Sequence, residues 1–190
     1  METKYFSDKK YSKIDYITNP FQKGEYENCI FSDCDFSGTR LSDTLFTDCE
    51  FIDCNLSLVQ LSDTAFRGIK FIGCKMLGLH FEDCNEFGLL FSFTNCILNN
   101  SSFYKTKIKN TSIKNSKLQE VDFAECDLTG SVFDNCDLAE TIFDNTNMEK
   151  VDLSTSYNYS IDPDKNKLKK TRFSSDGLSG LLNKYDIIIE

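Results

Sequence analysis

Apolar residues recur at every fifth position through most of this 190-residue chain. From Tyr26 to Phe81 each fifth residue is apolar or aromatic, and after a slip of two residues the same spacing runs from Phe93 to Leu153. A period of five fits neither the 3.6-residue period of an α-helix nor the two-residue period of a strand. The spacing therefore predicts a repeat architecture, in which a short unit is stacked many times.

Each five-residue unit has two further constant positions. A small residue usually stands two positions before the central apolar residue, and Asn, Asp or Gly usually stands two positions after it, as Cys34, Phe36 and Gly38 illustrate. Because side chains alternate along an extended segment, the small and central residues share the inner face. Asn, Asp and Gly favour tight turns. Each unit is therefore predicted to be a short extended side followed by a corner.

The large central residues are expected to fill the interior of the stack. We predict a core that includes Phe31, Phe36, Phe51, Phe71, Phe123, Phe133 and Phe143. Proline would remove a donor from the hydrogen-bond ladder. Both prolines, Pro20 and Pro163, lie outside residues 24–156, over which the repeats are predicted.

The repeat resembles that of the pentapeptide-repeat proteins. The segments CDFSG, CNLSL, CDLTG, CDLAE and TNMEK match the pattern of that family, and the resemblance covers about residues 24–156. It implies an all-β fold, a right-handed quadrilateral parallel β-helix with four repeats per coil. The chain would then have roughly six coils and, at about 4.8 Å between strands, a length on the order of 30 Å.

Three segments depart from the repeat. Residues 1–23 are predicted to form an N-terminal cap over the exposed edge of the first coil. Residues 82–92 contain the two-residue slip and are predicted to form a bulge that joins two stacks, 24–84 and 91–156. Two interpretations of the bulge remain open, a structural joint and a protrusion that binds a partner.

Residues 157–190 are predicted to form a C-terminal module with a short helix and a strand. Ser174 or Ser175 is a suitable helix cap, and Ile187–Ile189 have the composition of a strand. This ending resembles the C-terminal segment of the Qnr and MfpA branch of the family, which implies a two-fold dimer. Capping the last coil without dimerisation is the alternative. The candidate dimerisation residues are Leu178, Leu181, Leu182, Ile187 and Ile189.

The nine cysteines are interpreted as small core residues. All of them occupy the inward small position of the repeat, where cysteine behaves as a small buried hydrophobe. No CxxC motif occurs and the single histidine, His80, is at an outward position, so no metal or other cofactor is expected. Cys34, Cys54 and Cys74 should stack one coil apart, and a disulfide distance between them is not excluded. Free thiols favour a reducing compartment.

Charge is distributed unevenly along the chain. Residues 24–153 contain 22 acidic and 10 basic residues, whereas the segments before and after carry small positive balances, for a net charge of −9. An acidic rod is expected not to bind nucleic acid directly. The segment Met1–Tyr5 begins no apolar signal sequence, and no stretch is long enough to span a membrane. We therefore expect a cytoplasmic protein without a membrane association.

Two functions are compatible with these features. The resemblance implies a dimeric acidic rod that imitates DNA, binds a type II topoisomerase such as DNA gyrase and counteracts quinolones. The candidate contacts are the outward residues Asp122, Asp127, Asp137 and Asp152. The alternative is a scaffold for another protein partner, with outward apolar residues Ile30, Leu45, Ile97, Val132 and Ile142. Enzymatic activity is not expected, because no phosphate-binding loop, nucleophile elbow or acid–base pair is recognisable.

Overall fold

The chain forms a right-handed quadrilateral β-solenoid of about 8 turns. The computed structural model describes residues 4–188. Its strands form one parallel sheet in which partners are usually 20 residues apart, as in the pairing of Phe31 with Phe51. The strands are β1 (Tyr5–Ser7), β2 (Lys10–Ser12), β3 (Glu25–Glu27), β4 (Ile30–Ser32), β5 (Leu45–Thr47), β6 (Glu50–Ile52), β7 (Ala65–Ile72), β8 (Leu90–Thr94), β9 (Ser112–Lys114), β10 (Val132–Asp134), β11 (Asp152–Leu153) and β12 (Arg172–Phe173).

The solenoid has four faces, which we number in the order the chain visits them. Face 1 carries β1, β3, β5 and the first half of β7; face 2 carries β2, β4, β6, the second half of β7 and β8 to β12. Faces 3 and 4 are held by isolated parallel bridges, such as Asp35 with Asn55 on face 3 and Arg40 with Gln60 on face 4. At most corners the chain turns through a residue with positive φ, and Asp and Asn are the commonest of these.

Aromatic rings stack in columns inside the solenoid. Phe123 lies between Phe103 and Phe143, with ring centroids 5.0 Å and 5.6 Å away and nearly parallel planes. The side chains predicted to fill the core are all buried, namely Phe31, Phe36, Phe51, Phe71, Phe123, Phe133 and Phe143. Stacked neighbours above and below remove each ring from water, which no single repeat could do.

The small inward residues also make a specific hydrogen bond. Thr141 Oγ1 donates to the carbonyl oxygen of Leu118 at 2.7 Å, and Ser131 Oγ donates to that of Ile108 at 3.1 Å. Cys54 Sγ makes the weaker thiol version of this bond to the carbonyl of Phe31 at 3.4 Å. The acceptor is the central residue 23 positions earlier, in the coil below. The inward position therefore selects residues that are both small and able to donate.

The solenoid begins before residue 24. Phe6 pairs with Tyr26 and Tyr11 pairs with Phe31, so residues from Tyr5 onward form a coil in register with the next one. The prediction that residues 1–23 lie outside the repeat is therefore wrong for the described part. The five-residue spacing does continue backwards from Tyr26, through Phe21, but Lys9 and Asn19 stand where a small residue was expected.

The bulge at residues 82–92 does not divide the core. Phe71 pairs directly with Phe93, 22 residues later, and their rings stack at 5.3 Å. The buried side chains on both sides belong to one continuous cluster. The two extra residues are absorbed locally, with a register shift between Arg67 and Ile69 of β7. The solenoid is thus a single stack with one longer coil.

The C-terminal segment differs from the predicted module. The coil structure continues to Phe173, which pairs with Leu153. Beyond it lie the 3-10 helices Asp176–Leu181 and Asn183–Tyr185, and residues 186–188 form no strand. The predicted strand residue Ile189 lies outside the described residues. A third 3-10 helix, Phe81–Asp83, precedes the bulge.

The C-terminal 3-10 helices are attached to the last coil through a close backbone approach. Gly180 lies against Tyr159, and a Cβ atom at this position would come within 2.2 Å of the Tyr159 carbonyl oxygen. The Gly180 carbonyl accepts a hydrogen bond from the Ile161 N–H at 2.9 Å. Lys184 forms ion pairs with Asp162 and Asp164. Only glycine permits this packing at position 180.

The stacked Phe123 ring should dominate local stability. We expect Phe123→Ala to lower the free energy of unfolding by about 3–5 kcal/mol, because it leaves a cavity between two stacked rings. Ile142→Ala is the control, since Ile142 is 51% exposed on the same face and should cost less than about 0.5 kcal/mol. Guanidinium unfolding followed by circular dichroism measures both. Equal losses in the two variants would contradict this account of the core.

Buried thiols should make the protein sensitive to alkaline pH. All nine cysteines are free and buried, and burial raises the pKa of Cys49 to about 12 and that of Cys136 to about 11. The unfolded chain releases these protons near pH 8.5, whereas the native state retains them. Stability from these groups is therefore complete below pH 8 and falls above it, by up to about 1.4 kcal/mol per pH unit for each thiol.

Thermal unfolding between pH 7 and pH 10, in the presence of a reductant, tests this dependence. We expect the melting temperature to be level to pH 8 and then to fall. The double variant Cys49→Ala and Cys136→Ala should start from a lower value but fall less steeply. A parallel decline in the variant and the wild type would show that these thiols are not responsible.

Candidate interaction surfaces

The four candidate aspartates lie on four different faces. Asp127 is on face 1, Asp152 on face 2, Asp137 on face 3 and Asp122 on face 4, according to their bridge partners. With four repeats per coil, residues five apart occupy neighbouring faces, so these side chains cannot meet one flat partner together. Their part in partner binding stays a prediction for each residue alone.

The same aspartates have structural roles. Asp137 is 9% exposed and accepts hydrogen bonds from Gln119 Nε2 at 2.7 Å and Asn158 Nδ2 at 2.8 Å. Partial burial would raise the pKa of its carboxyl group, but the hydrogen bonds from Asn158 and Gln119 outweigh it and hold the pKa below its usual value. The Asp122 carboxylate accepts a hydrogen bond from the Ala124 N–H at 2.7 Å. Hydrogen bonds to these carboxylates within the solenoid therefore explain much of the occurrence of aspartate at these positions.

Two of these aspartates also form ion pairs. Asp152 accepts bonds from the Ser154 hydroxyl and N–H, which lower its pKa, and it pairs with Arg172 at 2.9 Å. Asp127 pairs with Lys109 at 3.0 Å. Desolvation raises the pKa of Asp127, and the bonds from Thr129 and Lys109 more than compensate, so its pKa is lowered. Their charges are thus partly neutralised within the protein.

The largest excess of acidic over basic side chains is instead on face 4. We define the acidic face as the outward residues of face 4 between positions 40 and 145. It contains seven carboxylates, Asp43, Asp63, Glu82, Asp83, Asp122, Glu125 and Asp144, and the bases Arg40 and Lys105. Asp63 and Asp83 lie on successive coils, since the Asp63 N–H donates to the Asp83 carbonyl at 2.8 Å. Sequence analysis could have found this face by grouping outward residues at intervals of 20.

The bulge projects an apolar tip. Phe87 is 76% exposed and Leu90 is 51% exposed. The tip is held in place, because the Arg67 guanidinium lies 5.2 Å from the Phe87 ring centroid and Asn85 Nδ2 donates to Asp63 Oδ1 at 2.7 Å. The segment is therefore an ordered protrusion next to the acidic face.

A second apolar surface lies at the C-terminal end. Of the candidate dimerisation residues, Leu178, Leu182 and Ile187 are exposed, whereas Leu181 packs against the core. Tyr185 and Ile188 are also exposed there and were not anticipated from the sequence. Ile189 lies outside the described residues. These side chains form an apolar patch at one end of the rod.

Neither a metal centre nor a membrane span is found in the described part. Among residues 4–188, no group of three or more His, Cys, Asp or Glu side chains could hold a metal ion. His80 Nδ1 lies 2.9 Å from Glu82 Oε1. Within the same residues, no helix has the length and apolar character needed to cross a bilayer.

Comparison with known proteins agrees with this architecture. The family model described as a pentapeptide repeat region matches residues 21–92 and 91–173, which is most of the chain. The chain belongs to the pentapeptide-repeat family. The match extends past residue 156 and ends at Phe173, where the last paired strand ends. No curated protein sequence matches the chain.

Two solved structures share the fold over almost the whole chain. Both are trypsin-treated variants of QnrB1, described as a plasmid-mediated fluoroquinolone resistance protein. One is 19% identical with a TM-score of 0.66, covering 99% of this chain and 98% of its own. The other is also 19% identical, with a TM-score of 0.63 and complete coverage of both chains. At this identity the likeness shows that this pentapeptide-repeat protein has the same fold.

Proposed function

We propose that this pentapeptide-repeat protein binds a type II topoisomerase such as DNA gyrase in place of DNA and counteracts quinolones. The observation that carries the proposal is the acidic face, which follows one side of a rod with the fold of QnrB1. Seven carboxylates over six coils at about 4.8 Å give roughly one charge every 4 Å, close to the 3.4 Å per phosphate of one DNA strand. A basic groove shaped for DNA would attract such a surface.

The acidic face is more suitable for this role than the four aspartates on separate faces. Its carboxylates are carried by one face of the solenoid, and Asp63 and Asp83 are exposed. Three of its charges are offset by ion pairs at solvent-exposed positions, that of Asp43 with Lys23, that of Glu125 with Lys105 and that of Asp144 with Lys165. Exposed ion pairs contribute little energy, so these lysines can turn aside when a cationic partner approaches.

A gyrase supercoiling assay with ciprofloxacin tests the proposal. The test variant combines Asp43→Asn, Asp63→Asn and Glu125→Gln on the acidic face. The matched control combines Asp33→Asn, Asp53→Asn and Asp134→Asn on face 2, with the same change in net charge. We expect wild type to restore supercoiling in the presence of the drug, the test variant to need at least tenfold more protein, and the control to resemble wild type.

Two results would count against topoisomerase protection by the acidic face. One is wild-type protein that neither inhibits gyrase nor relieves ciprofloxacin poisoning at micromolar concentration. The other is an equal loss of protection in both variants, which would indicate total charge rather than face 4. A stoichiometric partner other than a topoisomerase, bound in a manner sensitive to Phe87→Ser, would favour the alternative scaffold function through the exposed protrusion.

We further propose that the protein is a homodimer through its C-terminal patch. Leu178, Leu182 and Ile187 are 48%, 36% and 56% exposed, and Ile188 is 90% exposed. Apolar side chains gathered at one end of a rod are typical of an interaction surface. A two-fold contact between two such ends would bury them and double the length of the acidic face.

Light scattering coupled to size-exclusion chromatography tests the dimer. Full-length protein should have about twice the monomer mass of 21.8 kDa, and the double variant Leu178→Glu and Ile187→Glu should have the monomer mass. Val132→Glu, at a 39% exposed apolar position on face 2, is the control and should remain dimeric. A wild-type protein that is monomeric at a concentration of roughly 50 µM would refute dimerisation through this patch.

A further inference from the structure

The C-terminal half of face 1 is strongly basic. It carries Lys107, Lys109, Lys150, Lys167, Lys169 and Lys170, all exposed, which we call the basic strip. The carboxylates among them are Asp127 and Glu149. The strip is therefore a cationic surface on a protein whose net charge is −9.

The lysines are arranged regularly by the solenoid. Parallel bridges connect Lys107 to Asp127, Asp127 to Asn147 and Asn147 to Lys167, so these positions form one outward column. At about 4.8 Å per coil, Lys107 and Lys167 are about 14 Å apart along the rod. Lys169 stands two residues beyond Lys167 on the same extended side, about 6.6 Å away. The ammonium groups thus cover a flat area rather than a single point.

Most of this positive charge is not neutralised within the protein. Lys109 pairs with Asp127 at 3.0 Å, but the other five lysines make no ion pair with any residue between 4 and 188. Lys150 and Lys170 also stand at corners with φ of 60° and 62°. Asn110 and Gly130 occupy the two preceding corners of this column.

The strip lacks the apolar component of a protein interface. None of the exposed large apolar residues of the described chain lies at its outward positions. Cores of protein–protein interfaces are depleted of charge and rich in aromatic residues. Membrane-binding surfaces likewise place apolar side chains beside their lysines. A predominantly cationic, flat surface without apolar side chains is typical of contact with the phosphates of a nucleic acid.

We propose that the basic strip binds the phosphate backbone of duplex DNA without sequence preference. The strip reaches about 14 Å along the rod, enough for its lysines to contact about four phosphates. Lysine neutralises phosphates as a point charge and reads no base edges. Binding would therefore be weak, reversible and strongly dependent on salt.

The expectation from the sequence that an acidic rod does not bind nucleic acid depends on the net charge of the rod as a whole. That sum does not describe the charge of each face. The acidic face is on the neighbouring side of the solenoid, and its charges are centred between Asp43 and Asp144. The lysines at 167, 169 and 170 are at the far end of the rod from most of them. At physiological ionic strength the screening length is about 8 Å, so the strip acts largely as an independent surface.

Fluorescence anisotropy of a labelled 20-base-pair duplex tests the proposal without a topoisomerase. The test variant is Lys167→Gln, Lys169→Gln and Lys170→Gln. The matched control is Lys9→Gln, Lys10→Gln and Lys13→Gln, three exposed lysines of the first coil at the opposite end, with the same change in net charge. Circular dichroism of each variant confirms that it is folded.

For wild type we expect binding at 20 mM NaCl, with a slope of log affinity against log salt of about −3.6 for four phosphates. The test variant should bind at least tenfold more weakly, with a slope less negative by about 2.7. The control should bind within twofold of wild type.

Three results would overturn the assignment of DNA to this strip. They are no binding by wild type at 20 mM NaCl, an equal loss in both variants, and equally tight binding of phosphatidylglycerol vesicles with the same dependence on the three lysines. The last result would indicate attraction to any anionic surface. Because gyrase is absent, failure here leaves the topoisomerase proposal intact, and failure of the gyrase assay leaves this proposal intact.

Discussion

The structure depends on one constraint: every coil must present a backbone ladder and a filled interior to the next coil 20 residues later. Side chains of small inward residues complete this ladder, as when Thr146 Oγ1 donates to the Phe123 carbonyl at 2.8 Å. The donor must be short enough to leave room for the aromatic column beside it. This explains why Cys, Ser and Thr alternate with Phe and Leu throughout the repeat, and why the nine free cysteines are buried at the inward position.

In each five-residue unit, the inward small residue, the central apolar residue and the corner residue are constrained by the fold. The surface chemistry of the protein is therefore set by the other two residues, and by those corners that accept residues other than Asn, Asp or Gly. The resulting faces differ in chemistry although they share one backbone. Face 4 collects carboxylates such as Asp63 and Glu125, whereas the end of face 1 collects lysines such as Lys167 and Lys169. The net charge of the chain does not reveal this division, because opposite charges on different faces cancel in the total although they are separated in space.

The sequence was sufficient to predict the solenoid because apolar residues recur at every fifth position without exception between Tyr26 and Phe81. It was less informative at the ends. The first coil keeps the spacing through Phe6 and Tyr11, but the small inward residues are absent there, and the coil was assigned to a cap. At the other end Asn158 and Pro163 interrupt the spacing, although Leu168 and Phe173 resume it. The position of an outward aspartate within its repeat does not assign it to a face, whereas its position at intervals of 20 residues does. The 3-10 geometry near Gly180 depends on contact with Tyr159, which no local pattern contains.

The two extra residues before β8 show how such a rod can acquire new features. They raise the exposed Phe87 above the surface, yet Phe71 still stacks on Phe93 and the columns beyond continue unchanged. A corner can therefore gain chain length while the interior keeps its packing. In evolutionary terms, chain length inserted at such a corner can change the binding surface of the solenoid while its interior packing is kept.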